Sequence, residues 1–203
     1  MQVIFLNPLT NRTLCAIMLV PKGKEMKIMN YFEKVKALAT ITDTTPTIKA
    51  LCFDMDGTIA DLYAVPNWLE KLRAYDASPY INAPPMCNME LLAELLHKAM
   101  AQGIEVRIIT WLSKESNKEY DEMVRMAKRV WLDYFNIPYD HFHGIAYGTT
   151  KANMVRKALN LENCETAVLF DDNAKVRNGW HMGESYDPTE CDICEILRNI
   201  VGE

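Results

Sequence analysis

The chain has 203 residues, 22 Lys plus Arg against 27 Asp plus Glu for a formal net charge of −5, and a composition 49% hydrophobic and 24% charged. That length and balance describe one ordinary folded domain, or one domain with an appendage, long enough to bury a core without a disulfide or metal staple. The acidic balance removes the positive field on which non-specific binding to nucleic acid or anionic membrane rests, and no apolar run approaches the roughly 18 residues of a membrane span.

Residues 1–46 read differently from the rest. Two apolar runs flank Asn7-Pro8-Leu9-Thr10-Asn11 as in a hairpin, residues 31–41 have helical spacing, and residues 42–46 form a linker. This extension receives no role. Met26 and Met29 are alternative starts. Residues 1–20 lack a basic n-region, and Asn7, Pro8, Asn11 and Arg12 interrupt their apolar stretch, unlike a secretory signal. The six cysteines, Cys15, Cys52, Cys87, Cys164, Cys191 and Cys194, are therefore expected to be reduced thiols of a cytoplasmic protein.

From residue 47 to 203, short apolar runs alternate with amphipathic helices. Residues 48–53 form a strand ending at Asp54. Residues 61–87 leave room for one or two short helices. Asn88 caps a helix with Leu91, Leu92, Leu95, Leu96, Ala99 and Met100 on one face, stopped by Gly103. Residues 106–109 make a strand ending at Thr110. The long helix that follows is expected to bury Met123, Met126, Ala127, Val130, Trp131 and Tyr134, and it ends before Pro138. A short strand at 144–147, a helix at 151–160, a strand at 166–170 ending at Asp171 and a last helix at 191–200 complete the pattern. Such alternation predicts a three-layer α/β, Rossmann-like fold: a parallel sheet covered by helices on both faces.

In open α/β sheets ligands bind outside the carboxyl ends of the strands. Standing there are Asp54-Met55-Asp56-Gly57-Thr58, Thr110 and Asp171-Asp172, with Lys151 opening the preceding helix. Acidic strand ends gathered in one crevice repel one another unless a cation sits among them, and hard oxygen ligands suit Mg²⁺. A divalent ion, a hydroxyl and a lysine together make a site for a phosphoryl group. An EF-hand loop also opens DxDG, but its fifth and sixth positions here are Thr58 and Ile59, which fails that pattern.

FDMDGT, IIT, the Lys151 region and LFDD resemble, in order, the four motifs of the haloacid dehalogenase (HAD) superfamily of Mg²⁺-dependent phosphatases, over about residues 49–180. The resemblance implies a HAD core with a small cap at about 61–87. It makes Asp54 the nucleophile that forms an aspartyl-phosphate and Asp56 the acid and base. Thr110 and Lys151 hold the phosphoryl oxygens, with Mg²⁺ on Asp54, the Asp56 carbonyl and Asp171 or Asp172. Dehalogenases of the superfamily lack an acid at the Asp56 position, which favours a phosphatase.

The 5′(3′)-deoxyribonucleotidase branch is similar at FDMDGTIADLY and at Lys128–Phe135, where its phosphate lysine lies on the helix after the threonine. Lys128 is thus the alternative to Lys151. That branch has Ser-Pro after the threonine, whereas Trp111-Leu112 stands here. The implied substrate is a small phosphomonoester, a nucleotide in the most specific reading. Another phosphometabolite, a nucleic-acid end, or a HAD-fold binding module without turnover are the alternatives. Tyr63, Trp68, Tyr75 and Tyr80 in the cap, with Trp111, offer stacking surfaces, although Trp68, Leu69 and Leu72 also suit packing of the cap onto the core. Cys191-x-x-Cys194 lacks the second pair of a zinc site and reads as one side of the last helix. His141-x-His143 reads as a loop, and nothing fixes His181 near the site.

Overall fold

The structure, a computed structural model, describes residues 47–162 and 165–203; the hairpin, helix and linker expected within residues 1–46 lie outside them. Five parallel strands form one sheet: β1 (Thr47–Phe53), β2 (Glu105–Trp111), β3 (His141–Ile145), β4 (Glu165–Phe170) and β5 (Ser185–Tyr186), ordered β3-β2-β1-β4-β5. The order reverses at β1, whose neighbours β2 and β4 leave in opposite directions. That switch point is where such a sheet opens a crevice at its carboxyl edge.

The helices are α1 (Trp68–Arg73), α2 (Ser78–Asn82), α3 (Met89–Ala101), α4 (Lys118–Tyr134), α5 (Lys151–Ala158), α6 (Ala174–Asn178) and α7 (Ile193–Val201). The central strands are apolar on both sides, as parallel strands covered twice must be. Leu51, Phe53, Val106, Ile108, Val168 and Phe170 face α3, α7 and the end of α4. Ala50, Cys52, Ile109, Ala167 and Leu169 face Ala152 and Val155 of α5 with Trp180 and Met182. This is the three-layer α/β fold that the alternation predicts.

Between β1 and α3, the stretch expected to form the cap holds a single 3-10 turn (Leu62–Ala64), α1 and α2. Leu62, Leu72, Ala77 and Tyr80 pack there on Tyr120, Val124 and Ala127 of α4, while Leu69 stays exposed, contrary to its expected packing role. Trp131 ties the cap's exit to the core. Its ring is buried in the main cluster, and Nε1 donates to the Ala83 carbonyl at 2.7 Å.

Four expectations need correcting. The long helix is rolled about its axis relative to the expected face: Met123, Met126, Val130 and Tyr134 are exposed, and the buried stripe is Tyr120, Val124, Ala127, Lys128 and Trp131. Lys128 fits the inner side, where its ammonium meets the Asp56 carboxylate and the Thr110 hydroxyl. His141 and His143 are not in a loop but on β3, in register with Arg107 and Ile109. The third strand accordingly runs over His141–Ile145 rather than 144–147. Cys191 lies outside the last helix, which starts later because the Asp192 carboxylate caps it by accepting from the Cys194 and Glu195 amides.

Trp131→Ala removes both the buried ring and its tie to Ala83. The expected cost is about 3–5 kcal/mol, the usual range for a buried aromatic truncated to alanine. Urea denaturation checks it, and a loss below about 1 kcal/mol would contradict the packing described.

Candidate active site

Register builds the crevice. Phe53 pairs with Ile108 on one side and Phe170 on the other, so Asp54 emerges level with Asp171, and its amide still donates to the Phe170 carbonyl at 2.9 Å. Beyond Asp54 the chain turns tightly. The Met55 carbonyl accepts from the amides of Thr58, Ile59 and Ala60. Gly57 takes φ +75° in this turn, and a Cβ there would stand 2.5 Å from Asp172 Oδ2 and 2.8 Å from the Tyr63 ring. Only glycine satisfies both the dihedral and the space.

Two fully buried lysines organise the site. Lys151, at the start of α5, reaches Asp54 Oδ2 at 2.6 Å and Asp171 Oδ2 at 2.8 Å. Lys128, from the middle of α4, reaches Asp56 Oδ2 at 2.6 Å and donates to Thr110 Oγ1 at 2.8 Å. Each ammonium also lies against an aromatic face, Lys151 at 5.1 Å from the Trp111 ring and Lys128 at 4.5 Å from Tyr80. The sequence offers these lysines as alternatives. The structure brings both in, one for each acid of the Asp54-x-Asp56 pair.

Backbone groups hold the acids in place. Asp54 Oδ1 accepts from the Met55 amide at 2.7 Å, and Asp171 Oδ1 from the Asn173 amide at 2.9 Å. Thr58 Oγ1 accepts from the Asp172 amide at 3.2 Å. Arg177, which the sequence reading passed over, donates to the Asp171 carbonyl at 2.7 Å and pairs with Asp187 at 2.5 Å. A lone arginine in a short polar helix gives no sequence signal of that reach. Asn173 caps α6 by accepting from the Lys175 amide, so the residues after Asp171-Asp172 turn immediately into a helix.

Asp54, Asp171 and Asp172 each offer a carboxylate oxygen within 4.8 Å of the others. Asp56 turns its carboxylate toward Lys128 rather than into this triad. Four carboxylates against two ammoniums leave a formal excess of two negative charges, which a divalent ion cancels. The donors are all hard oxygens, the set that suits Mg²⁺.

The electrostatics carry the same message. Burial, then the Asp54 charge, pushes Asp171 up to about 6, and Asp172 rises to about 6 from burial, Asp54 and Asp171. Burial also raises Asp56, with Asp54 adding to the rise and Lys128 opposing it. For Lys151 burial favours the neutral amine, but Asp54 and Asp171 outweigh it and the group is held charged. The Lys151 ammonium keeps its proton, while Asp171 and Asp172 are drawn toward their neutral forms.

No family model and no curated protein matches the sequence. Among solved structures, a chain of the Pnkp1/Rnl/Hen1 complex is similar at 21% identity and TM-score 0.46, over 72% of this chain and 46% of that one. This chain thus spans under half of that relative's length. The 3-deoxy-D-manno-octulosonate 8-phosphate phosphatase of Moraxella catarrhalis, in complex with magnesium ion, phosphate ion and KDO, is similar at 14% and 0.42, over 80% of this chain and 92% of that one. A HAD-like phosphatase of Mesorhizobium loti gives 13% and 0.45, over 77% and 87%. Likenesses this distant carry no argument about activity, and the reading of function rests on the site itself. Fold and site together define a Rossmann-like α/β protein with an acid–lysine crevice at its topological switch point. Among the described residues no helix is long and apolar enough to cross a membrane.

Because Asp171 and Asp172 sit near 6 in the folded chain against an ordinary 3.8, the folded state holds more protons between those values. Their contribution to stability is therefore full below about pH 4 and is lost as pH rises to about 6. Thermal melts of the metal-free protein should show this loss, reduced in Asp172→Asn, and millimolar Mg²⁺ should raise Tm more at pH 7 than at pH 5. A Mg²⁺ effect equal at both would contradict the charge account.

Proposed function

We propose that the chain is a Mg²⁺-dependent phosphomonoester hydrolase of the HAD type working through an aspartyl-phosphate on Asp54. The observation that carries this is the paired arrangement: two acids separated by one residue, each bound by a different buried lysine, the first of them also part of a triad of carboxylates, with the four acids exceeding the two lysines by the charge of a divalent ion. Mg²⁺ held by Asp54, the Asp56 carbonyl and Asp171 or Asp172 would supply neutralisation of phosphoryl charge.

The chain's own residues supply the rest. The Asp54 carboxylate, fixed by the Met55 amide and Lys151, attacks phosphorus as the bond to the leaving oxygen breaks. Asp56, raised by burial, gives its proton to the departing alkoxide. Water then attacks phosphorus, Asp56 takes its proton, and the Asp54–phosphorus linkage breaks to free inorganic phosphate. Lys128 with Thr110, and Lys151, present three donors to the phosphoryl oxygens in a water-poor crevice where such donors act strongly.

As substrate we propose a nucleoside or deoxynucleoside monophosphate. Tyr63, about half exposed on the cap, touches the Gly57 turn and feels the charges of Asp172, Asp56 and Asp54. Tyr147, also about half exposed, lies 5.2 Å from the Trp111 ring that covers Lys151. Exposed aromatic faces beside a phosphoryl site are stacking surfaces, worth about 1–3 kcal/mol per base. Trp68, by contrast, is half-buried against Tyr63 and packs the cap.

Inorganic phosphate release from a panel of nucleotides and sugar phosphates tests both levels. Release is expected only with Mg²⁺ and should vanish in Asp54→Asn. Tyr147→Ala should raise KM for nucleoside monophosphates about fivefold or more, leaving glycerol phosphate unchanged. No release from a folded protein that binds Mg²⁺ would sink the phosphatase reading and favour a binding module, while equal KM changes for both substrates would sink only the nucleotide reading.

A further inference from the structure

Beside the Asp54–Ala60 turn, whose Thr58 lines one wall, the cap's exit meets the start of α7 around a cavity of about 190 Å³. Cys87, Cys191 and Cys194 all line it. Two of these thiols, more than a hundred residues apart in sequence, meet on its wall, and Cys194 Sγ donates at 4.0 Å to the carbonyl of Asn88, the residue between Cys87 and Met89. A third sulfur completes the group, since Cys87 Sγ donates to Met89 Sδ at 3.8 Å. Met89 and Cys194 are buried, Cys87 half-buried, and Cys191 stands on the cavity wall with its thiol on the Asp187 carbonyl at 2.9 Å.

We infer that Cys87, Cys194 and Met89 form a binding site for a soft monovalent d¹⁰ cation of the Cu⁺ type. Thiolate and thioether ligands select such ions, and a set of two or three sulfurs meets their low coordination number. The hydrogen bonds of these two thiols go to the Met89 sulfur and the Asn88 carbonyl, and Asp192 is the one carboxylate among the residues lining the cavity. Zinc takes its four ligands from Cys, His and carboxylate, a set to which the Met89 thioether does not belong, while Mg²⁺ takes oxygen.

Binding exchanges two thiol protons for one cation: both S–H bonds break, two sulfur–metal bonds form, the Met89 thioether adds a third, and two protons leave to solvent. No electron is transferred. The buried thiols hold their protons firmly, with Cys87 pushed up to about 12 by burial, so they make poor nucleophiles for disulfide exchange. Displacing those protons demands a strongly thiophilic ion. A bound ion would pin the cap's exit, through Cys87 and Met89 on either side of the α3 cap Asn88, to the first turn of α7.

The test is anaerobic titration of the full chain with Cu⁺ against a chromogenic Cu⁺ chelator, with excess Mg²⁺ filling the acid triad. One ion per chain should resist the chelator. Retention should be lost in Cys87→Ser and in Cys194→Ser, weakened about tenfold in Met89→Leu, and unchanged when Cys15 and Cys164 are both replaced by serine. X-ray absorption of the loaded wild type, which depends on no variant, should show sulfur neighbours alone. Failure of the wild type to retain the ion, an oxygen or nitrogen shell, or retention that survives loss of both Cys87 and Cys194 would overturn the site. A Cys87–Cys194 disulfide formed with peroxide, in a protein that never holds Cu⁺, would overturn it as well and mark a redox pair.

Discussion

A buried ammonium has to be matched by buried negative charge, and this chain buries two. Lys128 and Lys151 are as inaccessible as the core leucines, so each requires an acid at hydrogen-bond distance. The carboxyl edge of the sheet supplies Asp54 and Asp56 from β1, Asp171 from β4 and the Thr110 hydroxyl from β2. Much else follows from that match. The roll of α4 aims Lys128 inward and leaves Met126 and Tyr134 in water. The start of α5 is pinned by Lys151 beneath Trp111, and the cap is seated by Tyr80 lying over Lys128.

The match is incomplete. Asp171 and Asp172 are pushed well above the usual carboxylate range because two ammoniums cannot satisfy four acids in a desolvated crevice. A structure optimised for stability alone would replace such charges with apolar side chains of similar volume, often without loss. Keeping them stores an unfavourable charge distribution that, under the proposed function, a cation and an anionic substrate together would relieve. The arrangement favours donors that are already in place before the reacting group arrives, which is where electrostatic stabilisation of a transition state gains most.

Most of this architecture is legible in the sequence because hydrophobic period and strand-end residues report it directly. The runs at 48–53, 106–109 and 166–170 are too short and too apolar for anything but doubly covered strands, and each delivers its polar residue where the parallel sheet places it. Reading the faces of α4 was harder. Two interleaved stripes have helical spacing, and the pattern rule prefers the one without a lysine, although the lysine is what belongs inside. His141 and His143 hid an edge strand because polar residues at alternate positions of a half-covered strand look like a loop. The convergence of Cys87, Met89 and Cys194 lies beyond any local pattern, since it depends on α3 packing against α7. Asp54, Asp56, Thr110, Lys151, Asp171 and Asp172 were recognisable only as an ordered set, and the lysine ambiguity dissolves once both are seen to have an acid of their own.

The central claim is that Asp54 is a nucleophile held ready by Lys151, not merely a metal ligand. Rapid acid quench of the protein with Mg²⁺ and a substrate carrying radiolabelled phosphate, followed by peptide mapping, tests it most directly. The account predicts an acid-stable, hydroxylamine-labile acyl phosphate on the peptide containing Asp54, absent in Asp54→Asn and formed more slowly in Lys151→Met. Turnover with no covalent phosphoprotein at any quench time, or label on a different residue, would contradict it.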